Sequence, residues 1–231
     1  DLGLGRAPGS DQTTAAALAK GPGALSSEHY PAQVNELAAF LRDEPNPAGP
    51  FRDVRATPIT EGAPSMWLLA SSAGSAGIAA HLGMPLVWAH FIAQVPGQDI
   101  VDAYRANYQP SPEFPHPIVM LATGAICAET QQEAAFVASS VQRWRASGPT
   151  GPIPEPAPPG TPLPGSDNPL FVNQRVNKPL LHGTAEYVKD ELETLADSFG
   201  ADEVLLITIT HDHGARVRSY ELLADAFDLG S

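Results

Sequence analysis

Short apolar runs that alternate with amphipathic helical stretches place this sequence in the α/β class, with a parallel sheet flanked by helices. A second observation supports this: Ile118 to Ile126 is almost continuously apolar, as a strand covered on both faces must be. A third is composition, since 43% hydrophobic residues against 17% charged ones describe a chain able to bury a core.

Asp1 to Gly5 is the first strand and runs into a Gly/Pro turn at Arg6-Ala7-Pro8-Gly9-Ser10. Val34, Leu37, Ala38 and Leu41 recur at i, i+3, i+4 and i+7, which predicts a helix from Pro31 to Asp43. Ser65 to Ala70 is the second strand, followed by a short helix from about Ser75 that stops at Gly83. Pro85 to His90 is the third strand. Gln98 to Asn107 is helical, with Ile100 and Tyr104 facing inward. After the Ile118–Ile126 strand, Thr130-Gln131-Gln132-Glu133 spells a capping box, and Ala134, Val137, Ala138, Val141 and Trp144 share one side of its helix.

From Gly148 to Pro169 nine residues are proline, which excludes helix and central strand. We read 148–169 as a loop within one domain spanning 1–231, because the strand–helix rhythm resumes beyond it; a linker between two domains is the other reading. Thr184 starts a helix with Val188, Leu192, Leu195 and Phe199 on one face and Gly200 as its stop. Glu203 to Ile209 is the fifth strand and Val217 to Phe227 the closing helix. Five strands suffice for a small open sheet and are too few for an eight-stranded barrel.

Thirteen basic residues against 26 acidic ones leave a net charge of −13. Such a surface repels polyanions and argues against nucleic acid or an anionic membrane as partner. No apolar run reaches the roughly 20 residues of a spanning helix. One cysteine, Cys127, cannot form an intramolecular disulfide, and a reducing cytoplasm is the expected compartment. The chain opens on Asp1 without a leader pattern, so a front that has been cut is expected.

The run most suggestive of chemistry is Ala70-Ser71-Ser72-Ala73-Gly74-Ser75-Ala76-Gly77. It leaves a strand, enters a helix, and is made of small and hydroxyl side chains. Unpaired amides, the positive end of the dipole and serine donors together suit a phosphate; an ordinary serine cap is the plainer alternative. No Walker A lysine and no GxGxxG follows. Arg6 leaves the first strand at the same rim if the strands are parallel, and its planar fork suits phosphate. His90 ends the third strand, either as a polar contact to a ligand ring or as a structural histidine. His211-Asp212-His213 offers two alternating ligands with no evident third, so we expect no metal. No Gly-x-Ser-x-Gly elbow presents a serine nucleophile.

Several of these residues also carry a family resemblance. Asp1-Leu2-Gly3-Leu4-Gly5-Arg6-Ala7-Pro8-Gly9-Ser10-Asp11 resembles the Gly-Arg-Ala-Pro-Gly-Ser strand and turn of the bacterial-luciferase-like flavin-dependent monooxygenases. Trp67-Leu68-Leu69-Ala70-Ser71-Ser72, then Ser75-Ala76 and Leu82-Gly83-Met84-Pro85, is similar to the family's serine-loop series. Tyr104-Arg105 with Phe114, and Asp212-His213-Gly214-Ala215-Arg216 with Ser219-Tyr220-Glu221-Leu222, follow in the same order. Phe91 departs from the pattern, standing where close relatives usually carry histidine.

The resemblance implies a (β/α)8 TIM barrel of the luciferase-like type, present here as an incomplete barrel that lacks about the first three strands. It implies that Arg6, Ser71, Ser72 and Ser75 hold an FMN phosphate at the carboxyl-end rim, with His90 as a further cofactor contact. It implies reduced FMN delivered by a separate flavin reductase, O2 and a small organic molecule as co-substrates, and a homodimer. Catalytic residues on the missing strands cannot be named. The rivals are a deazaflavin-dependent hydride-transfer enzyme of the same superfamily and a non-catalytic flavin-binding remnant. An isolated piece would be inactive and prone to aggregate through its two uncovered strand edges.

Overall fold

The computed structural model of the chain describes residues 1–6, 28–44, 49, 52–93, 95–148, 151–165 and 179–229. It divides into two compact units, one of residues 1–88 with 99–118 and one of 89–98 with 119–231. The Ala7–Ser10 part of the first turn lies outside the described residues, as do parts of the proline-rich segment.

In the first unit, β1 (Leu2–Gly5), β2 (Met66–Ala70) and β3 (Leu86–Ala89) begin as apolar runs, and α1 (Tyr30–Leu41), α2 (Ala73–Leu82) and α3 (Gln98–Ala106) lie between and after them. β1 pairs with β2 in parallel, Leu4 beside Leu68, and β2 pairs with β3, Leu68 beside Leu86 and Ala70 beside Trp88. All three strands therefore send their following loops out at the same end. Leu68, Leu86 and Trp88 are buried, and Ala76, Ala79 and Ala80 of α2 give the sheet a flat, side-chain-poor helix to pack on. Small residues at those positions are what allow α2 to sit close to β2. α2 starts two residues earlier than its periodicity predicts. In α3 the buried residues are Val101 and Tyr104; Ile100 is only half-buried. The Tyr104 hydroxyl donates to the carbonyls of Met84 and Ile118 at 3.0 and 3.2 Å.

In the second unit, β4 (Val119–Cys127) is buried at all nine positions, with α4 (Gln131–Ala146) after it. β5 (Leu181–Gly183), α5 (Ala185–Phe199), β6 (Glu203–Ile207) and α6 (His213–Ala226) follow. β4 pairs in parallel with β6, Thr123 beside Leu206, and with β5, Ile126 beside His182. One face of β4 carries Ala125 and Cys127 against Val188 and Leu192 of α5 and Leu223 of α6. The other carries Ile126 against Ala138 and Val141 of α4. Burial on both sides explains why this strand reads as unbroken apolar sequence. It also pushes the Cys127 thiol up to about 12, leaving it without thiolate character near neutral pH.

β5 is a sixth strand, beyond the five that sequence patterning predicts. Three residues are too few for a period-2 signal, and Leu181-His182-Gly183 is held by tertiary pairing. In the proline-rich segment the described residues 151–165 form neither helix nor strand. They are anchored along α4, with the Trp144 indole N–H donating to the Gly151 carbonyl and the Ala157 N–H to Ser139 Oγ. No helix among the described residues is long and apolar enough to cross a membrane.

Candidate functional site

Arg6 directly follows β1, and Ser71 and Ser72 directly follow β2. Because the two strands are adjacent and parallel with Gly5 beside Leu69, the guanidinium and the serine loop emerge together. The contact is explicit at Gly74, the second residue of α2: a Cβ built there would lie 3.6 Å from Arg6 Nη1. The arginine therefore stands at the first turn of α2, where helix geometry leaves backbone amides without intrahelical partners and the dipole is positive.

The hydroxyls at this turn are in an unusual state. Ser72 occupies the N-cap position with extended backbone (φ −152°, ψ 158°), yet its side chain makes no capping bond. Elsewhere the cap works as the residue type predicts. Thr130 accepts from the Glu133 N–H, Thr184 from the Tyr187 N–H, and Asp212 from the Ala215 N–H. Ser71 and Ser72 are half-buried, and Ser75, one turn in, is 9% exposed. A guanidinium, hydroxyls and unpaired amides, with only glycine and alanine between them, form a cradle for a compact anion.

Tyr30 is the first residue of α1. Its hydroxyl oxygen is buried and has no hydrogen-bond partner among the described residues. Burial pushes the phenol's pKa up, and the positive charge of Arg6 pulls it partly back, so the guanidinium's field reaches that oxygen. Read as sequence, Tyr30 is merely an aromatic residue beside the proline that opens a helix.

The remaining predicted site residue, His90, belongs to the second unit. It follows β3 directly; its Nδ1 lies 3.2 Å from Thr123 Oγ1, and its ring meets Phe199 edge-on with centroids 5.9 Å apart. Burial lowers its pKa below the ordinary 6.5 and keeps the imidazole neutral. The Asp212 carboxylate, considered above beside its two histidines, caps α6, and the start of that helix lies four residues ahead of the predicted one.

No family model matches the sequence. Individual proteins do. The chain is 32% identical over 239 residues to the uncharacterised protein YwcH of Bacillus subtilis (strain 168), a match covering 98% of this chain and 69% of YwcH. It is 33% identical over 229 residues to a luciferase-like monooxygenase of Escherichia coli (strain K12), covering 97% of this chain and 66% of that protein. Among solved structures, apo-MsnO8 is similar over 99% of this chain and 68% of its own, with a TM-score of 0.77 and 32% identity. The α/β fold, the order of its parallel strands and helices, and sequence similarity spanning nearly the whole chain agree, and the chain belongs to the luciferase-like monooxygenase family.

Proposed function

We propose that this chain forms part of a flavin-dependent monooxygenase in which Arg6, Ser71, Ser72 and Ser75 hold the phosphate of FMN. The observation that carries the reading is Arg6 Nη1 standing over the first turn of α2 while the Ser72 hydroxyl remains uncommitted. When bound in its reduced form, the flavin supplies the electrons with which O2 is activated and a small organic substrate oxygenated. The residues described here bind and orient. Arg6 offers a charge-assisted fork, the α2 amides and serine hydroxyls offer donors, and Gly74 keeps the approach open. Three or four such bonds, each net about 1.5–3 kcal/mol, reach micromolar affinity once ordering costs are subtracted.

In the same reading residues 1–231 are one domain and its strands are part of an eight-stranded (β/α) barrel, as the additional third of the relatives' length suggests. Val204 and Leu205 of β6, 38% and 42% exposed, are apolar surface that further strands would cover. A separate flavin reductase supplies the reduced cofactor, and two copies of the chain pair.

The test is an anaerobic titration of the protein with FMN, riboflavin and a deazaflavin coenzyme, repeated on Arg6→Ala. FMN should bind more tightly than riboflavin, and Arg6→Ala should erase that preference while riboflavin affinity holds. Equal affinity for FMN and riboflavin in the unmodified protein removes the phosphate assignment. Tighter binding of the deazaflavin replaces FMN as the cofactor.

A further inference from the structure

β4 carries a single hydroxyl, that of Thr123, in an otherwise apolar strand. Thr123 is 0% exposed, so its O–H has given up water and needs an acceptor within the protein. The other buried threonines of the second unit find carbonyls: Thr208 Oγ1 donates to Ala125 at 2.8 Å and Thr210 Oγ1 to Asp212 at 2.6 Å. Thr123 differs. Its one hydrogen bond among the described residues is with His90 Nδ1, 3.2 Å away.

That pairing decides where the imidazole proton sits. A neutral imidazole has one N–H and one acceptor nitrogen. A proton on Nδ1 would make Thr123 Oγ1 the acceptor and leave the hydroxyl's own proton buried without a partner; a doubly protonated ring would create the same conflict. With Thr123 donating, both groups are satisfied and the ring proton is on Nε2. The ring is held in place from two further sides. The next residue, Phe91, bonds through its N–H to the Ala122 carbonyl at 3.2 Å, and Phe199 meets the imidazole edge-on with centroids 5.9 Å apart. Nε2 has no partner among the described residues, and His90 is half-buried rather than sealed in the core.

We propose that Thr123 donates to His90 Nδ1 and so makes His90 a neutral Nε2–H donor to the ring system of the flavin, with Thr123 as its positioning residue. The inference rests on the flavin reading above and adds two residues to it. The ring that FMN and riboflavin share carries carbonyl oxygens and ring nitrogens, all acceptors, and an N–H of fixed direction meets them without adding charge. While its Nδ1 lone pair is engaged by Thr123, His90 is a donor and not a base.

Heteronuclear NMR of the histidine ring nitrogens reads the tautomer, with His90→Phe identifying the signal by its loss. The parent should show a protonated Nε2 and an acceptor Nδ1; a protonated Nδ1 overturns the proposal. Flavin fluorescence titration tests the ligand. His90→Phe should weaken FMN and riboflavin alike, about three- to tenfold, whereas Arg6→Ala should weaken FMN alone. Thr123→Val keeps the branched shape that a strand favours and removes the donor, so it should weaken riboflavin several-fold and shift the Nδ1 signal; Thr123→Ser should restore both. Riboflavin affinity unchanged in His90→Phe, or in a folded Thr123→Val, overturns the proposal and leaves the phosphate reading to stand on Arg6→Ala. Should Thr123→Val fail to fold, the parent's tautomer and the His90→Phe titration still decide. A parent protein that binds neither flavin ends the flavin reading and this proposal with it.

Discussion

Replacing Ser72 should separate stability from binding in a way that an ordinary helix cap cannot. A serine, threonine or aspartate that caps a helix loses about 0.5–2 kcal/mol on truncation to alanine. Thr184, whose hydroxyl accepts from the Tyr187 N–H, falls in that class, and Thr184→Ala should lower stability accordingly. Ser72 makes no such bond, so Ser72→Ala should change unfolding free energy by less than about 0.5 kcal/mol. Ser72→Asp goes further, because a carboxylate there can accept the free amides and meet the positive end of the α2 dipole. Capping and dipole terms together predict a gain of about 0.5–1 kcal/mol. The same carboxylate faces the bound phosphate. One unit of like charge at about 4 Å costs about 1 kcal/mol in water and about 4 kcal/mol near a protein surface, so FMN affinity should fall by one to three orders of magnitude. Urea unfolding measures the first effect and flavin titration the second. A Ser72→Asp protein that is more stable and binds FMN unchanged would refute the placement of the anion. Equal destabilisation of Ser72→Ala and Thr184→Ala would show instead that Ser72 caps α2.

Two further perturbations probe the frame that holds the site. Gly83 ends α2 at φ +62°, and a Cβ there would come within 2.4 Å of the Gln109 carbonyl oxygen. Left-handed backbone alone costs about 1–2 kcal/mol for a non-glycine residue, so Gly83→Ala should lower the unfolding free energy by more than that, read as a lower urea midpoint, and an unchanged midpoint would contradict the geometry. In the second unit, burial holds the His90 imidazole below its ordinary 6.5. The unfolded chain therefore binds that proton first, so the stability His90 contributes is present above pH 6.5 and is lost as the pH falls through the folded value. His90→Phe should flatten the stability profile as the pH falls below 6.5; identical slopes in parent and variant would count against a neutral, buried imidazole.

How far the residues spoke for themselves differs from element to element. β4 was legible because burial on both faces forces an unbroken apolar run, and α5 because its start and stop, Thr184 and Gly200, are both chemically marked. The early start of α6 was not, since Asp212 sits between two histidines and reads more readily as part of a metal cluster than as a cap. β5 left no period to detect. At the site, Arg6 and the serine loop could be joined once parallel strands were assumed, because parallel neighbours release their loops at one end.

The start of α2 is where local preference and observed structure part, and the parting has a consequence for energetics. Gly74 and Gly77 each cost a helix about 1 kcal/mol relative to alanine. Neither is required by crowding, for a Cβ at Gly77 would meet nothing within 4 Å and one at Gly74 would make only an ordinary contact with Arg6. Add a serine that does not cap, and this turn is left less stable than its residues allow. Natural sequences break local rules of this kind chiefly where a ligand restores the balance. If an anion does so here, saturating FMN at about a hundred times its dissociation constant should raise stability by about 2.7 kcal/mol. In Arg6→Ala that gain should shrink to the smaller one riboflavin confers, whereas an equal gain in parent and variant would place the anion away from this turn.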